Sequence, residues 1–326
     1  MIAEKVGYSL GPLLSTHDML LCAKLADKQA NVDSLWIPES WGRESFSTLG
    51  AVSQITKKVR LGTSIVNIYS RTPATVAMGA ITLDMLSNNR TIIGLGASTA
   101  AIVENWHGLQ FRKPASRMKE YIHCLRLINK GEKVNYDGEF FKIKDFKILH
   151  RPQRTHIPIF AAAVNKKMVS IVSDLADGIL LYLRPFEELK RTVGGLKQKT
   201  KGKDFEIACS FVCAVSNKDP AKARHRAART LAFYVAVGKY YSRFLAQNGF
   251  KTEVEDINAE YRKTGSDSAA KFVSDRMLNS LVICGSSEEC RESLSRFLST
   301  GITLPILQFN PIDDSETSFK EMLSTF

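Results

Sequence analysis

The sequence has no CxxC pair, and its six cysteines, Cys22, Cys124, Cys209, Cys213, Cys284 and Cys290, stand apart without histidines at zinc spacing. A zinc module is excluded and a reducing compartment is expected; Cys209 and Cys213, four apart on one strand face, read as small buried hydrophobes. No stretch approaches the ~18 uninterrupted apolar residues that a membrane helix needs. The opening Met1-Ile2-Ala3-Glu4-Lys5-Val6 lacks a basic-then-apolar export signal, so a soluble, cytoplasmic protein is expected. No GxGxxG marks the first strand–helix turn. Gly94-Leu95-Gly96-Ala97-Ser98-Thr99 has only the first two glycines and comes after the fourth expected strand, which argues against an open dinucleotide-binding sheet. No serine occupies a nucleophile elbow and no carboxylate pair has ligand spacing. Only His17 falls near an expected strand end, so no metal site is expected and hydrolysis is poorly supported.

The chain does contain a strand–helix rhythm. Val59–Val66 and Thr91–Gly96 are short, apolar, β-branched runs of the kind found in parallel strands covered on both faces. Between them a helix opens at Thr72-Pro73, a hydroxyl cap before a first-turn proline, and closes at Ser87-Asn88-Asn89-Arg90. Further strands are expected at 5–9, 34–38, 158–162, 178–182, 205–215 and 303–309, with helices at 15–30, 46–56, 115–129, 166–175, 185–199 and 287–299. Two segments break the rhythm: a hairpin within 132–149 turning at Asp137-Gly138, and a helical stretch at 220–276 whose Tyr234, Tyr240, Tyr241 and Phe244 require a packing surface. At 326 residues the chain exceeds the roughly 250 typical of one (β/α)8 barrel by the size of such insertions. The expectation is an α/β protein, one (β/α)8 TIM-barrel domain over residues 1–326 with these two insertions.

The net charge is +12, concentrated at Lys190–Lys203 and Lys218–Arg229. On the second stretch Lys222, Arg224, Arg226 and Arg229 spread around a helix rather than along one stripe, as on a solvated face rather than a phosphate-backbone site. Basic residues near an active face could instead attract an anionic cofactor or substrate. Neither a nucleic-acid nor a membrane partner is expected.

In a barrel, chemistry gathers where the strands end. Those ends deliver Tyr8 and Ser9; Glu39, Ser40 and Trp41; Ser64, Asn67 and Tyr69; Ala97, Ser98 and Thr99; Ala163, Val164 and Asn165; Tyr182 and Arg184; Gln308 and Asn310. Neutral polar groups among small residues suit a flat organic cofactor that carries the hard chemistry itself.

Several segments together resemble the bacterial-luciferase-like superfamily. They are Leu61-Gly62-Thr63-Ser64-Ile65-Val66-Asn67-Ile68-Tyr69-Ser70-Arg71-Thr72-Pro73, Leu83 to Arg90, Gly94-Leu95-Gly96, Trp106-His107-Gly108, Tyr136-Asp137-Gly138 and Ala176-Asp177-Gly178. Within the superfamily the chain resembles the branch that uses the deazaflavin coenzyme F420, methylenetetrahydromethanopterin reductase and its relatives. The resemblance implies a bulge on the third strand with a non-prolyl cis peptide backing the deazaflavin ring, here at Ser64–Ile65. It implies an acidic residue near the ring, here Glu39, the candidate catalytic residue, in cofactor contact or proton handling. Burial there could tune such a carboxyl upward. It also implies phosphate binding on the N–H groups of Val164 to Met168, although Val164-Asn165-Lys166-Lys167 departs from the Gly-Pro-Lys-like sequence of relatives. The candidate cofactor-binding set is Ser9, Glu39, Ser64, Ile65, Asn67, Ala97, Ser98, Val164, Asn165 and Lys166. Trp41, Tyr69, Thr99 and Tyr182 are candidates for the substrate pocket. Thr99 stands where deazaflavin-dependent sugar-phosphate dehydrogenases carry a catalytic glutamate, which argues against sugar-phosphate oxidation.

The implied activity is hydride transfer between F420 and a small organic substrate, with a methylene-tetrahydropterin first to test and a homodimer or higher homo-oligomer as the working form. The alternatives are an FMN-dependent luciferase-like monooxygenase and, more remotely, a non-catalytic basic barrel that binds nucleic acid or acts as a scaffold.

Overall fold

Local chemistry at the ends of the Pro73–Leu86 helix sets the first β-α-β unit. Thr72 accepts the Thr75 N–H through its hydroxyl, Pro73 occupies the first turn, and Asn88 and Asn89 take left-handed φ values of 56° and 63° just past the Ser87 cap. In the computed structural model, which describes residues 5–39 and 42–326, this unit recurs with variations along the whole chain. Parallel strands alternating with helices make the protein α/β, of the (β/α)8 TIM-barrel class. Two compact units are distinguished: Asp33–Leu180 with Gly202–Glu206, and Leu181–Lys201 and Ile207–Phe326 with the chain up to Val32.

In the first unit Asp33–Ile37 of strand Val32–Ile37, the strands Arg60–Thr63, Thr91–Gly96 and Ile159–Ala162, and Gly178–Leu180 of strand Gly178–Tyr182 pair in that order, all parallel. Representative pairs are Leu35 with Leu61, Leu61 with Thr91, Leu95 with Ala161 and Phe160 with Gly178. Helix Pro73–Leu86 packs against helices Ser45–Ile55 and Pro114–Asn129. The expected strand Val59–Val66 is in fact two pieces, Arg60–Thr63 and Val66–Asn67. Both pair with Thr91–Gly96, and the break between them is a cis Ser64–Ile65 peptide.

The hairpin forms from Val134–Asp137 and Lys142–Phe146, but its turn is longer than the expected Asp137-Gly138 reversal. Asp137 pairs with Lys142, and Gly138 donates its N–H to the Phe141 carbonyl at 2.9 Å across the loop. The cause is tertiary: Glu120 accepts the N–H groups of Glu139 and Phe140, both at 3.0 Å, and pins the wider loop.

In the second unit Val6–Ser9, Leu304–Phe309, Glu206–Val215 and Ile283–Gly285 pair in parallel, with Tyr8 opposite Leu307, Ser210 opposite Ile306 and Ala214 opposite Cys284. The three-residue strand Ile283–Gly285 and the helix Ser315–Thr325 extend the expected layout. Phe319 on that helix meets Tyr8 edge-to-face at 5.3 Å. The helical insertion runs past 276 to Leu281 and is kinked at Asn248-Gly249, where Gly249 takes a left-handed φ of 94°. Tyr234, Tyr241 and Phe244 pack on its core, whereas Tyr240 stays 43% exposed. All six cysteines are buried and unbridged, and burial pushes the thiols of Cys22, Cys124 and Cys284 up to about 12. Among the described residues no helix is long and apolar enough to cross a membrane.

Candidate functional site

The break in the third strand shapes a cleft in the first unit. Thr63 locks the strands just before it, its hydroxyl donating to the Gly94 carbonyl and accepting the Gly94 N–H, both at 2.8 Å. Past the cis bond the Ile65 side chain lies over Gly96. A Cβ at Gly96 would stand 2.4 Å from Ile65 Cδ1, so glycine lets the Ile65 side chain lie against the neighbouring strand. Two buried polar atoms flank this bulge without a hydrogen-bond partner among the described residues, Ser64 Oγ and Asn67 Nδ2. Asn67 is oriented by its other amide atom, whose Oδ1 accepts the Tyr69 N–H at 2.8 Å. Buried polar atoms of this kind are ordinarily satisfied, so the pair is an unfilled demand for polar partners beside the bulge.

The cleft has a volume of about 500 Å³. Four of the candidate residues line it: Glu39, Ile65, Asn67 and Ser98, the last held at a left-handed φ of 60°. With them stand residues the sequence reading did not assign: Arg43, Glu44, Arg71, Ile102, Trp106 and His107. Arg71 organises the charge. Its Nε and Nη2 reach Glu39 Oε1 and Oε2 at 3.0 and 2.9 Å, a bidentate fork, and Nη2 also meets Glu44 Oε1 at 2.5 Å. The Glu39 hydrogen bond pushes the Arg71 pKa above its ordinary value despite partial burial. The Ser45 N–H occupies Glu39 Oε2 as well, at 3.2 Å. Both Glu39 oxygens are therefore engaged, one by Arg71 alone and the other by Arg71 and the Ser45 N–H.

The remaining candidates lie around the cleft or away from it. Ala97 and Thr99 are half-buried beside Ser98 but do not line the cleft, and the Thr99 hydroxyl caps the Ala100–Asn105 helix by accepting the Ile102 N–H. Tyr69 is a packing residue rather than a pocket wall: its hydroxyl donates to the Arg112 carbonyl at 2.9 Å and its ring lies 5.2 Å from Phe111. At the Lys166–Leu175 helix, Asn165 spends its side chain on the Met168 N–H at 2.9 Å, one of the amides expected to bind phosphate, and Lys166 is exposed beside half-buried Val164. Ser9 and Tyr182 belong to the second unit. Ser9 is buried on its strand, and Tyr182 donates to Gln308 Oε1 at 2.6 Å amid Tyr234 and Tyr241. Trp41 lies outside the described residues. Arg71 had a visible signal, an arginine directly before the Thr72-Pro73 cap and four residues beyond Asn67. Trp106 and His107 belong to a segment the resemblance had already drawn on.

A polar cleft over a backbone bulge, walled by Ile65, Asn67, Ser98 and the Arg71–Glu39 pair, with Asn67 Nδ2 lacking a partner among the described residues, fits a flat heteroaromatic group. Comparison with known proteins agrees. The chain is 28% identical over 307 residues to the 5,10-methylenetetrahydromethanopterin reductase of Archaeoglobus fulgidus, covering 92% of this chain and 91% of that one. It is 30% identical over 290 residues to the enzyme of that name from Methanolobus tindarius, covering 86% of each. Among solved structures, the coenzyme F420 dependent tetrahydromethanopterin reductase of Methanopyrus kandleri superposes with a TM-score of 0.87 over 99% of this chain and 98% of that one, at 21% identity. The luciferase-like monooxygenase family model matches residues 5–304, and the chain belongs to that family.

Proposed function

We propose that the protein is an F420-dependent oxidoreductase that moves a hydride between the deazaflavin and a small organic substrate, with a methylene-tetrahydropterin as the first to test. The observation that carries this reading is the Ser64–Ile65 bulge seated on Gly96, with Ser64 Oγ and Asn67 Nδ2 unsatisfied on either side of it. The names of the reductase relatives support the same cofactor and substrate class.

When bound, the deazaflavin supplies the hydride chemistry. The chain's residues bind and orient. Ile65 and the bulge would hold the ring from one side, and Asn67 Nδ2 would be free to donate a hydrogen bond to it. Ser98 lines the same cleft. Both Glu39 oxygens are engaged, by Arg71 and by the Ser45 N–H, which favours a contact and positioning role over proton delivery. Holding two flat partners in register while excluding water is the protein's main contribution to such a reaction.

Titration of the purified protein with F420 and with FMN tests the reading. Saturable F420 binding together with F420-dependent turnover of a methylene-tetrahydropterin is the expected result. Micromolar FMN binding with no F420 binding would replace it with a flavin-dependent monooxygenase.

A further inference from the structure

The loop that leaves the bulge, Ile68 to Arg71, keeps one bond to the neighbouring strand, from the Ile68 N–H to the Gly96 carbonyl at 3.0 Å, and beyond it the carbonyl groups of Ile68 and Arg71 take side-chain donors. Helix Pro114–Asn129 supplies them. Arg117 Nε donates to the Ile68 carbonyl at 3.0 Å, and one helical turn later the Tyr121 hydroxyl donates to the Arg71 carbonyl at 3.0 Å. The two contacts bracket the loop. Arg117 is held by aromatic faces, with its Cζ 4.7 Å from the Tyr69 ring centroid and 4.6 Å from that of Phe141. Burial lowers its pKa, only partly offset by the nearby Tyr69 and Tyr121. A guanidinium kept in such surroundings, spanning from the hairpin insertion to the loop, is placed for geometry rather than for solubility.

The loop under this clamp begins after Asn67, whose Nδ2 is unsatisfied at the cleft, and ends at Arg71, which forks Glu39. Asn67 is also tied to the clamped segment through the Tyr69 N–H. We propose that Arg117 is a positioning residue for the cofactor site, fixing the Ile68–Arg71 loop so that Asn67 and Arg71 present preset geometry to the ring. The hairpin insertion thereby acquires a function, since its Phe141 forms one side of the guanidinium slot and meets Tyr121 edge-to-face at 5.4 Å. The proposal rests on the reading of the cleft as an F420 site.

Two variants and two readouts test it. Arg117→Met keeps much of the packing volume but removes the donor and the charge, whereas Arg117→Lys keeps the charge and a donor without the planar fork. Arg117→Met is expected to raise the F420 Kd about tenfold, the loss of one well-placed hydrogen bond, with kcat at saturating cofactor little changed, and Arg117→Lys should recover part of the affinity. Without any cofactor, hydrogen exchange in a peptide covering residues 66–73 should accelerate in Arg117→Met and slow again in Arg117→Lys, while the rest of the chain exchanges as in the wild type. Unchanged affinity and exchange in folded Arg117→Met protein would overturn the proposal. So would acceleration spread evenly over the chain, which marks a merely structural role. A wild type that fails to bind F420 while the local exchange effect persists would instead sink the F420 reading and leave the loop clamp standing.

Discussion

At the scale of single residues, Gly96 lies directly beneath Ile65, which lines the cleft. A methyl group there would stand 2.4 Å from both Cγ1 and Cδ1 of Ile65, so the Ile65 side chain that lines the cleft must shift. Gly96→Ala is expected to destabilise the protein by roughly 1–3 kcal/mol, as overpacking does, and to weaken F420 binding severely, read by urea melts and cofactor titration. Gly62 is the matched control: its Cβ would meet the buried Trp36 ring at 2.4 Å, away from the cleft. Gly62→Ala should therefore lose stability while keeping cofactor affinity, and equal losses of affinity in both variants would reduce Gly96 to a core residue. Arg71 makes a second residue-scale case. Its two nitrogens match the two oxygens of Glu39, a geometry lysine cannot reproduce. Arg71→Lys should raise the F420 Kd several-fold, and an unchanged Kd would show that the fork does not shape the site.

At the scale of elements, the Ser45–Ile55 helix begins on a glutamate rather than on the usual hydroxyl or aspartate. Glu44 Oε1 accepts the Phe46 N–H at 2.8 Å and Oε2 accepts the Ser47 N–H at 2.7 Å, while Arg71 pairs with it from the cleft. Glu44→Ala should cost about 1 kcal/mol, the usual value of a lost cap. Burial pushes the Glu44 carboxyl up, but the Ser47 and Phe46 N–H groups and Arg71 outweigh it and leave the pKa below 4.5. A carboxyl depressed on folding stabilises fully above its unfolded value and loses that contribution as the pH falls through the folded one. The gap in thermal midpoint between wild type and Glu44→Gln should thus be open at neutral pH and close below about pH 4, and a gap independent of pH would refute the cap's charge. Elements with local signals were legible in the sequence: the Pro73–Leu86 helix from Thr72-Pro73 and the asparagines, and the Thr91–Gly96 strand from its β-branched run. The hairpin turn was misplaced because Glu120, on a helix distant in sequence, sets it. The strand Ile283–Gly285 was too short to announce itself. In the cleft, Glu39, Asn67 and Ser98 were legible because each sits just past the C-terminal end of an expected strand, and Ile65 through the family resemblance of its segment. Arg71 carried only the local mark of its place before Thr72-Pro73, because its pairing with Glu44 across 27 residues leaves no periodic trace.

At the scale of the whole molecule, the two ends of the strands divide stability from chemistry, as barrels generally do. The cleft gathers where strands end, at Glu39, Asn67 and Ser98, whereas arginine–carboxylate pairs gather where they begin. Arg154 holds Asp84 at 2.7 Å beside Thr91, Arg126 holds Asp177 at 2.5 Å before Gly178, and Arg60 holds both Asp33 and Glu206 at 2.6 Å. Burial lowers the Arg60 pKa, but the Glu206 hydrogen bond and the Asp33 charge more than reverse it, leaving it raised. Asp33 is 10% exposed, so removing its cation strands a desolvated carboxylate. Arg60→Met is accordingly expected to cost about 2–3 kcal/mol in urea unfolding, below the range for fully buried pairs because Arg60 and Glu206 still reach solvent. Adding Asp33→Asn to Arg60→Met should recover part of that loss, because the penalty comes from the orphaned charge rather than from the missing bond. F420 affinity should be unchanged in both variants. A weakened cofactor site in Arg60→Met protein of otherwise normal fold would show that the two ends are coupled, and failure of the second substitution to rescue would assign the loss to packing of the arginine stem instead of to charge.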